Sequence, residues 1–381
     1  MIKAGTSGQI AAVQVLRALA ALTVVFGHAQ HDALVNAGKA GLDFTRNHLL
    51  PWGAGVDLFF VISGFIMVYA SGRLFGQPGA GSAFLVRRLV RIVPLYWLLA
   101  TTYLILSRSF SGANTGVPLS GWDIVSSYLF WPVDIFSDGY PRPFFTLGWT
   151  LNYEMFFYFV FALFIGFDRT RAIAGVSVLL ACIVLAGMLL PRLPIPLQFW
   201  SQPIVLEFLL GMLIAQAYLA GLRIGRLWAA ALLATGLAIL FADPIGAATK
   251  PDSWITPNDW VRLACWGIPA ALAMASLILV ERTGTPQAQG PFARFCVRLG
   301  DASYALYLVH PFVIVTLRKI WLAAGLHLSL GFWAMVASAL ALSIFAALIC
   351  FRLLERPLTD WLGSQALVQP SLPSTGKASS R

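Results

Sequence analysis

Along this chain the apolar positions do not alternate, and they do not form one-sided stripes. They run on. Ten stretches, at 10–30, 53–71, 91–107, 144–167, 171–190, 203–221, 226–242, 260–281, 299–321 and 329–352, are almost uniformly apolar. At 1.5 Å of rise per residue, about 20 apolar residues cross the roughly 30 Å hydrocarbon layer of a bilayer. Lipid offers an open backbone no hydrogen bonds, so runs of this kind close their own bonds as helices. The pattern predicts an all-α, polytopic membrane bundle of about ten transmembrane helices.

The polar intervals refine this picture. The longest, from about 108 to 143, contains WDIVSSYLFWP, which is apolar and aromatic but too short to span. It reads as an interfacial or re-entrant piece, either roofing a chamber or simply packing. The segment 364–381 is rich in Ser and Pro and reads as a disordered cytoplasmic tail. No internal repeat of the kind that marks many transporters is visible.

Composition excludes a soluble fold: 59% of the 381 residues are hydrophobic and 11% charged, against about 25% charged in soluble domains. A net charge of +10 suggests nucleic acid at first sight. The basic residues, however, are scattered between apolar runs, with no basic tail and no aromatic-basic interleaving, so no nucleic-acid partner is expected. With the N-terminus in the cytoplasm, sixteen of the 26 Lys and Arg residues fall on the cytoplasmic side, nine on the other, and Arg17 within a span. This bias places both termini in the cytoplasm, although Arg318 and Lys319 fall on the outer side. Cys182, Cys265, Cys296 and Cys350 lie in or beside apolar runs without metal-ligand spacing, so no metal site is expected. The first apolar run holds Arg17 and is followed by no clean cleavage site, which predicts that it is retained as a helix.

Candidate chemistry comes from ionisable groups that lipid alone would reject. Arg17 and His28 share the first span, eleven residues apart. Eleven steps of about 100° end some 20° past three full turns, so both side chains share a face, about 16 Å apart along the axis. An arginine in hydrocarbon costs roughly 2.5–3.5 kcal/mol or more, so it faces a bundle interior or a wet cavity. Two readings follow: a clamp between helices, or a helix lining a reaction chamber. Glu154 lies near the middle of the fourth span, Glu207 early in the sixth, and His310 far along the ninth, before Pro311. Glu154 is expected to pair with Arg17 or a histidine, either as catalytic machinery or as a structural ion pair; Glu207 is expected to be structural. Imidazole titrates near working pH and suits a general base. His28, about 18 residues or about 27 Å from the start of its helix, would lie in the outer half of the bilayer. The loop FLVRRLVRIVPLYW places Arg88 and Arg91 on one face if helical, with Arg87 pointing elsewhere. The pair suits phosphate oxygens, or equally a lipid-headgroup anchor.

These residues fall in ordered motifs: LRALAALTVVFGH, GVDLFFVISGFIM, FLVRRLVRIVPLYW, GWTLNYEMFFY, EFLLGMLIA, LGDASYALYLVHP and LLERP. In this the chain resembles, over about 9–360, the membrane-bound acyltransferase-3 family, which includes bacterial O-acetyltransferases of lipopolysaccharide and exopolysaccharide. The form of GWTLNYEMFFY is similar to that of rhizobial-type exopolysaccharide acetyltransferases. The resemblance implies a multi-pass protein of the bacterial inner membrane. It implies acyl-CoA, acetyl-CoA above all, as a cytoplasmic co-substrate, no permanently bound cofactor, and a polysaccharide or lipid-linked glycan acylated on the outer side. It assigns His28, Glu154 and Arg17 to catalysis, with His28 as general base or as brief carrier of the acyl group, Arg88 and Arg91 with Arg87 to the donor, and His310, Tyr304 and Ser303 to positioning substrate. The competing expectations are a transporter or flippase that relays protons through the same buried charges, and a structural subunit of a polysaccharide-export complex.

Overall fold

The computed structural model describes residues 11–109, 118–190, 192–244, 246, 259–281 and 290–366. Among them the regular structure is helical, and β-pairing is limited to two isolated bridges, Asp134 with Arg142 and Ile224 with Val280. The helices are α1 (Ala11–Lys39), α2 (Gly55–Ala70), α3 (Ala80–Ser109), α4 (Gly121–Tyr128), α5 (Trp149–Phe164), α6 (Arg169–Leu189), α7 (Ile195–Trp200) and α8 (Leu206–Leu219). There follow α9 (Arg226–Ala242), α10 (Trp260–Arg262), α11 (Ile268–Leu279), α12 (Pro291–Asp301), α13 (Ser303–Ala323), α14 (Leu326–Ser329), α15 (Gly331–Cys350) and α16 (Arg356–Ala366). Among the described residues, eight helical runs are long and apolar enough to cross a membrane. Two shorter apolar helices, Pro203–Leu219 and Arg226–Ala242, coincide with the sixth and seventh apolar runs. The chain is an all-α polytopic bundle.

Two elements depart from the sequence pattern in ways that matter for the site. The third helix begins at Ala80, not near 91, so FLVRRLVRIVPLYW is the first half of α3 rather than a loop. Three arginines interrupt the apolar run there. Yet Phe84, Ile92, Leu95 and Tyr96 on the same stretch are buried, and the Ala162 carbonyl sits where a side chain at Gly81 would need space. The first helix likewise continues past 30 to Lys39. Ala33 and Ala37 pack against Phe332, Met335 and Val336, and Asp32 forms a 2.7 Å ion pair with Arg318 of α13. Polar residues end the hydropathy signal, but they find partners on neighbouring helices and the helix goes on.

Close approach needs small residues, because bilayer helices gain little from apolar burial and rely on packing. A β-carbon at Gly64 would strike the backbone of Phe208, one at Gly211 the backbone of Val61, and one at Gly300 the backbone of Gln14. The first two join α2 to α8; the third joins α12 to α1. Helix α1 sits centrally, packed against α2, α12, α13 and α15. A π-turn, Leu263–Gly267, links α10 to α11. Beside it Arg262 makes two 2.9 Å hydrogen bonds to the carboxylate of Asp57.

The WDIVSSYLFWP segment forms α4, capped reciprocally by Ser120 and Asp123. It docks on α3, where Tyr96 donates to the Ser127 carbonyl (3.1 Å) and the Trp97 indole to the Tyr128 carbonyl (2.9 Å). It lines neither of the cavities described below. The expected tail boundary at 364 falls inside α16, and residues 367–381 lie outside the described residues.

Candidate active site

Helices α1, α2, α3, α5 and α13 enclose a cavity of about 100 Å³. Its polar lining is Arg17 from α1, Ser63 from α2, Arg88 and Arg91 from α3, Glu154 and Tyr158 from α5, and Ser303, Tyr304 and Tyr307 from α13. Arg17, only 7% exposed, is steadied by Gln14 one turn earlier, at 3.4 Å. Arg88 lies over the ring of Phe84 at 5.4 Å, and its buried Nε has no hydrogen-bond partner. Three guanidinium groups thus face one carboxylate across the void, and the chamber suits an anion.

A second, wider space of about 490 Å³ is lined by Gln14, Arg17, Arg91, Asp301, Glu355 and Arg356, among others. Arg17 and Arg91 line both spaces, so the chamber meets this vestibule at those two residues. Glu355, from the LLERP motif, accepts a 3.2 Å hydrogen bond from the Ala305 backbone N–H. That bond ties the start of α16 to the start of α13 and shapes the vestibule wall.

Glu154 does not take the expected direct partner. Its Oε1 accepts from Ser63 Oγ at 3.0 Å and from the hydroxyl of Tyr158. Tyr158 lies four residues on and therefore on the same helical face. Arg17 shares the cavity across the void instead. Tyr304 lines the chamber while donating to the Ile92 carbonyl at 2.8 Å, and the buried Ser303 Oγ has no partner. Arg87 is exposed and lines neither space, so α3 delivers Arg88 and Arg91 alone.

The histidines gather separately, further along α1 and α13. The His28 and His310 rings lie 5.0 Å apart, centroid to centroid. Each Nδ1 faces the carbonyl four residues back, His28 to Val24 at 2.9 Å and His310 to Leu306 at 3.1 Å. A carbonyl only accepts, so both Nδ1 atoms carry the proton and both Nε2 atoms offer a lone pair. His310 is fully buried and its Nε2 has no hydrogen-bond partner; His28 is half-buried.

Neither histidine lines the chamber. Between them and it stands Tyr307, whose ring packs 6.1 Å from His310 and 6.2 Å from Phe59. Its hydroxyl lies 3.0 Å from both the Leu147 carbonyl and Thr150 Oγ1. The sequence reading missed Tyr307, Ser63 and Tyr158. For Tyr307 and Tyr158 a signal existed: they sit three and four residues from His310 and Glu154, within one helical turn. Ser63 comes from another helix, and no spacing reveals it. Among the described residues, no group of three or more His, Cys, Asp or Glu is arranged to hold a metal ion.

Comparison with known proteins identifies the family. The family described as an acyltransferase domain matches residues 10–352. The exopolysaccharide production protein ExoZ of Rhizobium meliloti (strain 1021) is 34% identical over 321 residues, covering 82% of this chain and 92% of that protein. The acyltransferase MdmB of Streptomyces mycarofaciens is 27% identical over 362 residues, covering 88% of this chain and 86% of its own. No solved structure matches. The family match extends across almost the whole bundle, with the arginine chamber and the histidine pair inside it. The chain therefore belongs to this acyltransferase family and is a multi-pass membrane enzyme that transfers acyl groups.

Proposed function

We propose that this enzyme carries an acetyl group from cytoplasmic acetyl-CoA to a hydroxyl of an exported or cell-surface polysaccharide, within the bacterial inner membrane. The observation that carries the reading is a spacing. Arg17 and Arg91 stand where vestibule and chamber meet, and His28 lies on the same face of α1, about 16 Å further along. The pantetheine arm of CoA, from diphosphate to sulfur, has about thirteen bonds, or about 16 Å at the roughly 1.2 Å per bond of an extended peptide-like chain. Arg17, Arg88 and Arg91 bind the diphosphate, for which guanidinium forks are suited. The arm then extends toward the histidines and sets the thioester beside them.

The excess of basic residues at the chain ends and alternate loops supports a vestibule open to the cytoplasm. Relatedness to a protein named for exopolysaccharide production supports a glycan acceptor. His28 Nε2 takes the proton of the acceptor hydroxyl as its oxygen becomes the nucleophile. Glu154, held by Ser63 and Tyr158, balances part of the guanidinium charge. Tyr304 and Ser303 border the donor's path.

The test mixes membranes holding the enzyme with radiolabelled acetyl-CoA and polysaccharide from the same cells. Label is expected in the glycan, and lost with His28→Ala in protein that still inserts and folds. Normal transfer by that variant rules out His28 as the base. Glycan that crosses the membrane without gaining label would refute the acetyltransferase reading.

A further inference from the structure

The two histidines are unequal, and the inequality has a direction. His310 is fully buried, its Nε2 lacks any partner, and its ring touches Tyr307, which lines the donor chamber. His28 is half-buried and does not line the chamber. Pro311, which has no N–H, follows His310, so the Tyr307 carbonyl lacks its usual helical donor. That carbonyl lies beside the His310 ring, as does the Leu306 carbonyl bonded to Nδ1. The ring is thus anchored on its Nδ1 edge, with its bare Nε2 lone pair on the other.

Resting on the acetyl-CoA reading above, we propose that His310 is the covalent acyl carrier and His28 the base that discharges it, a division of labour across the 5.0 Å ring contact. The Nε2 lone pair of His310 attacks the thioester carbonyl carbon. The carbon–sulfur bond breaks and CoA leaves as the thiolate, while the proton stays on Nδ1, hydrogen-bonded to the Leu306 carbonyl. The acetyl-imidazolium forms in a seat without solvent exposure, where water cannot hydrolyse it. The acceptor oxygen then attacks the acetyl carbon as His28 Nε2 receives its proton. The nitrogen–carbon bond breaks and the electron pair returns to His310. The proton passes from His28 to the thiolate, so the sum is thioester plus alcohol giving ester plus thiol. The thioester enters at Tyr307, whose phenol swings from Leu147 and Thr150 to admit it.

A two-step route has a signature that direct transfer lacks: label exchange between isotopically labelled CoA and acetyl-CoA with no glycan present. Full-length enzyme in membranes should catalyse this exchange. His310→Gln should lower exchange and glycan acetylation together, each by at least about 100-fold. His28→Gln should retain exchange and lose acetylation, and acid-quenched His28→Gln enzyme should carry one acetyl group on the peptide containing His310. That mass measurement does not depend on whether His310→Gln folds. Exchange that survives His310→Gln, or an acetyl group found on His28, overturns the assignment. Glycan acetylation without exchange overturns the covalent step and leaves the acetyltransferase reading standing. Absence of both reactions in the unaltered enzyme overturns the two together.

Discussion

Two clusters of buried charge lie in this bundle, and they are built on opposite plans. In the chamber, Arg17, Arg88 and Arg91 face a void with Glu154 as the carboxylate among them. At the start of α2, the reverse holds: one guanidinium, Arg262, is bonded to Asp57, with the fully buried Glu207 nearby. There the fork is closed, with two 2.9 Å bonds to Asp57 and the rings of Trp266 and Trp149 at 4.9 and 5.7 Å. Gly267 leaves the room that Glu207 fills. Both clusters pay the desolvation cost of buried ions. In one, the guanidinium is spent on Asp57 inside the fold; in the other, three guanidinium groups line a void that holds one carboxylate. A closed cluster holds helices together, and an open one waits for a ligand.

Breaking the closed cluster should have the largest effect on stability. Arg262→Met leaves the Asp57 carboxylate buried without its cation and should cost about 3–5 kcal/mol, read as loss of a monodisperse, heat-resistant protein in detergent. Combining it with Asp57→Leu and Glu207→Leu should recover much of that loss. An Arg262→Met protein as stable as its parent would break the contrast.

Arg91→Met should do the opposite. It should raise the KM for acetyl-CoA by about 10- to 100-fold, the worth of one or two charge-assisted hydrogen bonds, while moving the thermal midpoint little. A collapse in stability instead would make the chamber a second clamp. Tyr304→Phe sharpens the comparison further. It removes the 2.8 Å bond to the Ile92 carbonyl, worth about 1 kcal/mol, and the thermal midpoint should fall accordingly.

The smallest effect is expected outside the bundle. Hydrogen bonds from Arg142 hold the Asp138 carboxyl below its ordinary range. The contribution is therefore present above the ordinary carboxylate pKa and fades as pH falls through the lowered one. The pair lies at the surface, with Asp138 exposed and Arg142 partly so, so Asp138→Asn should change stability by under about 1 kcal/mol. The change should be visible at pH 7 and vanish in acid.

The helices were legible in the sequence because a membrane span is a run of one composition, and a run survives inspection in one dimension. Arg17 with His28 and Arg88 with Arg91 were legible for a related reason: each pair shares a helix, whose turn is fixed. What lay hidden crosses between helices. Arg262 and Asp57 are 205 positions apart, and hydropathy places Arg262 merely near a span end. Charge alone points Glu154 to Arg17 or a histidine, whereas geometry supplies Ser63 and Tyr158. The start of α3 was missed because arginines facing a cavity look, in sequence, like arginines facing water.

One helix carries both Arg17 and His28, so the distance between guanidinium and imidazole is a yardstick cut into the backbone. No hinge can adjust it. One residue inserted between them would turn His28 by about 100° away from its partner. Four inserted residues would bring it nearly back into line but about 6 Å too far along. On the proposed acetyl-CoA reading, a carrier with a shorter or longer arm than pantetheine would fall out of reach of the histidine pair, and donor choice would follow the pitch of α1.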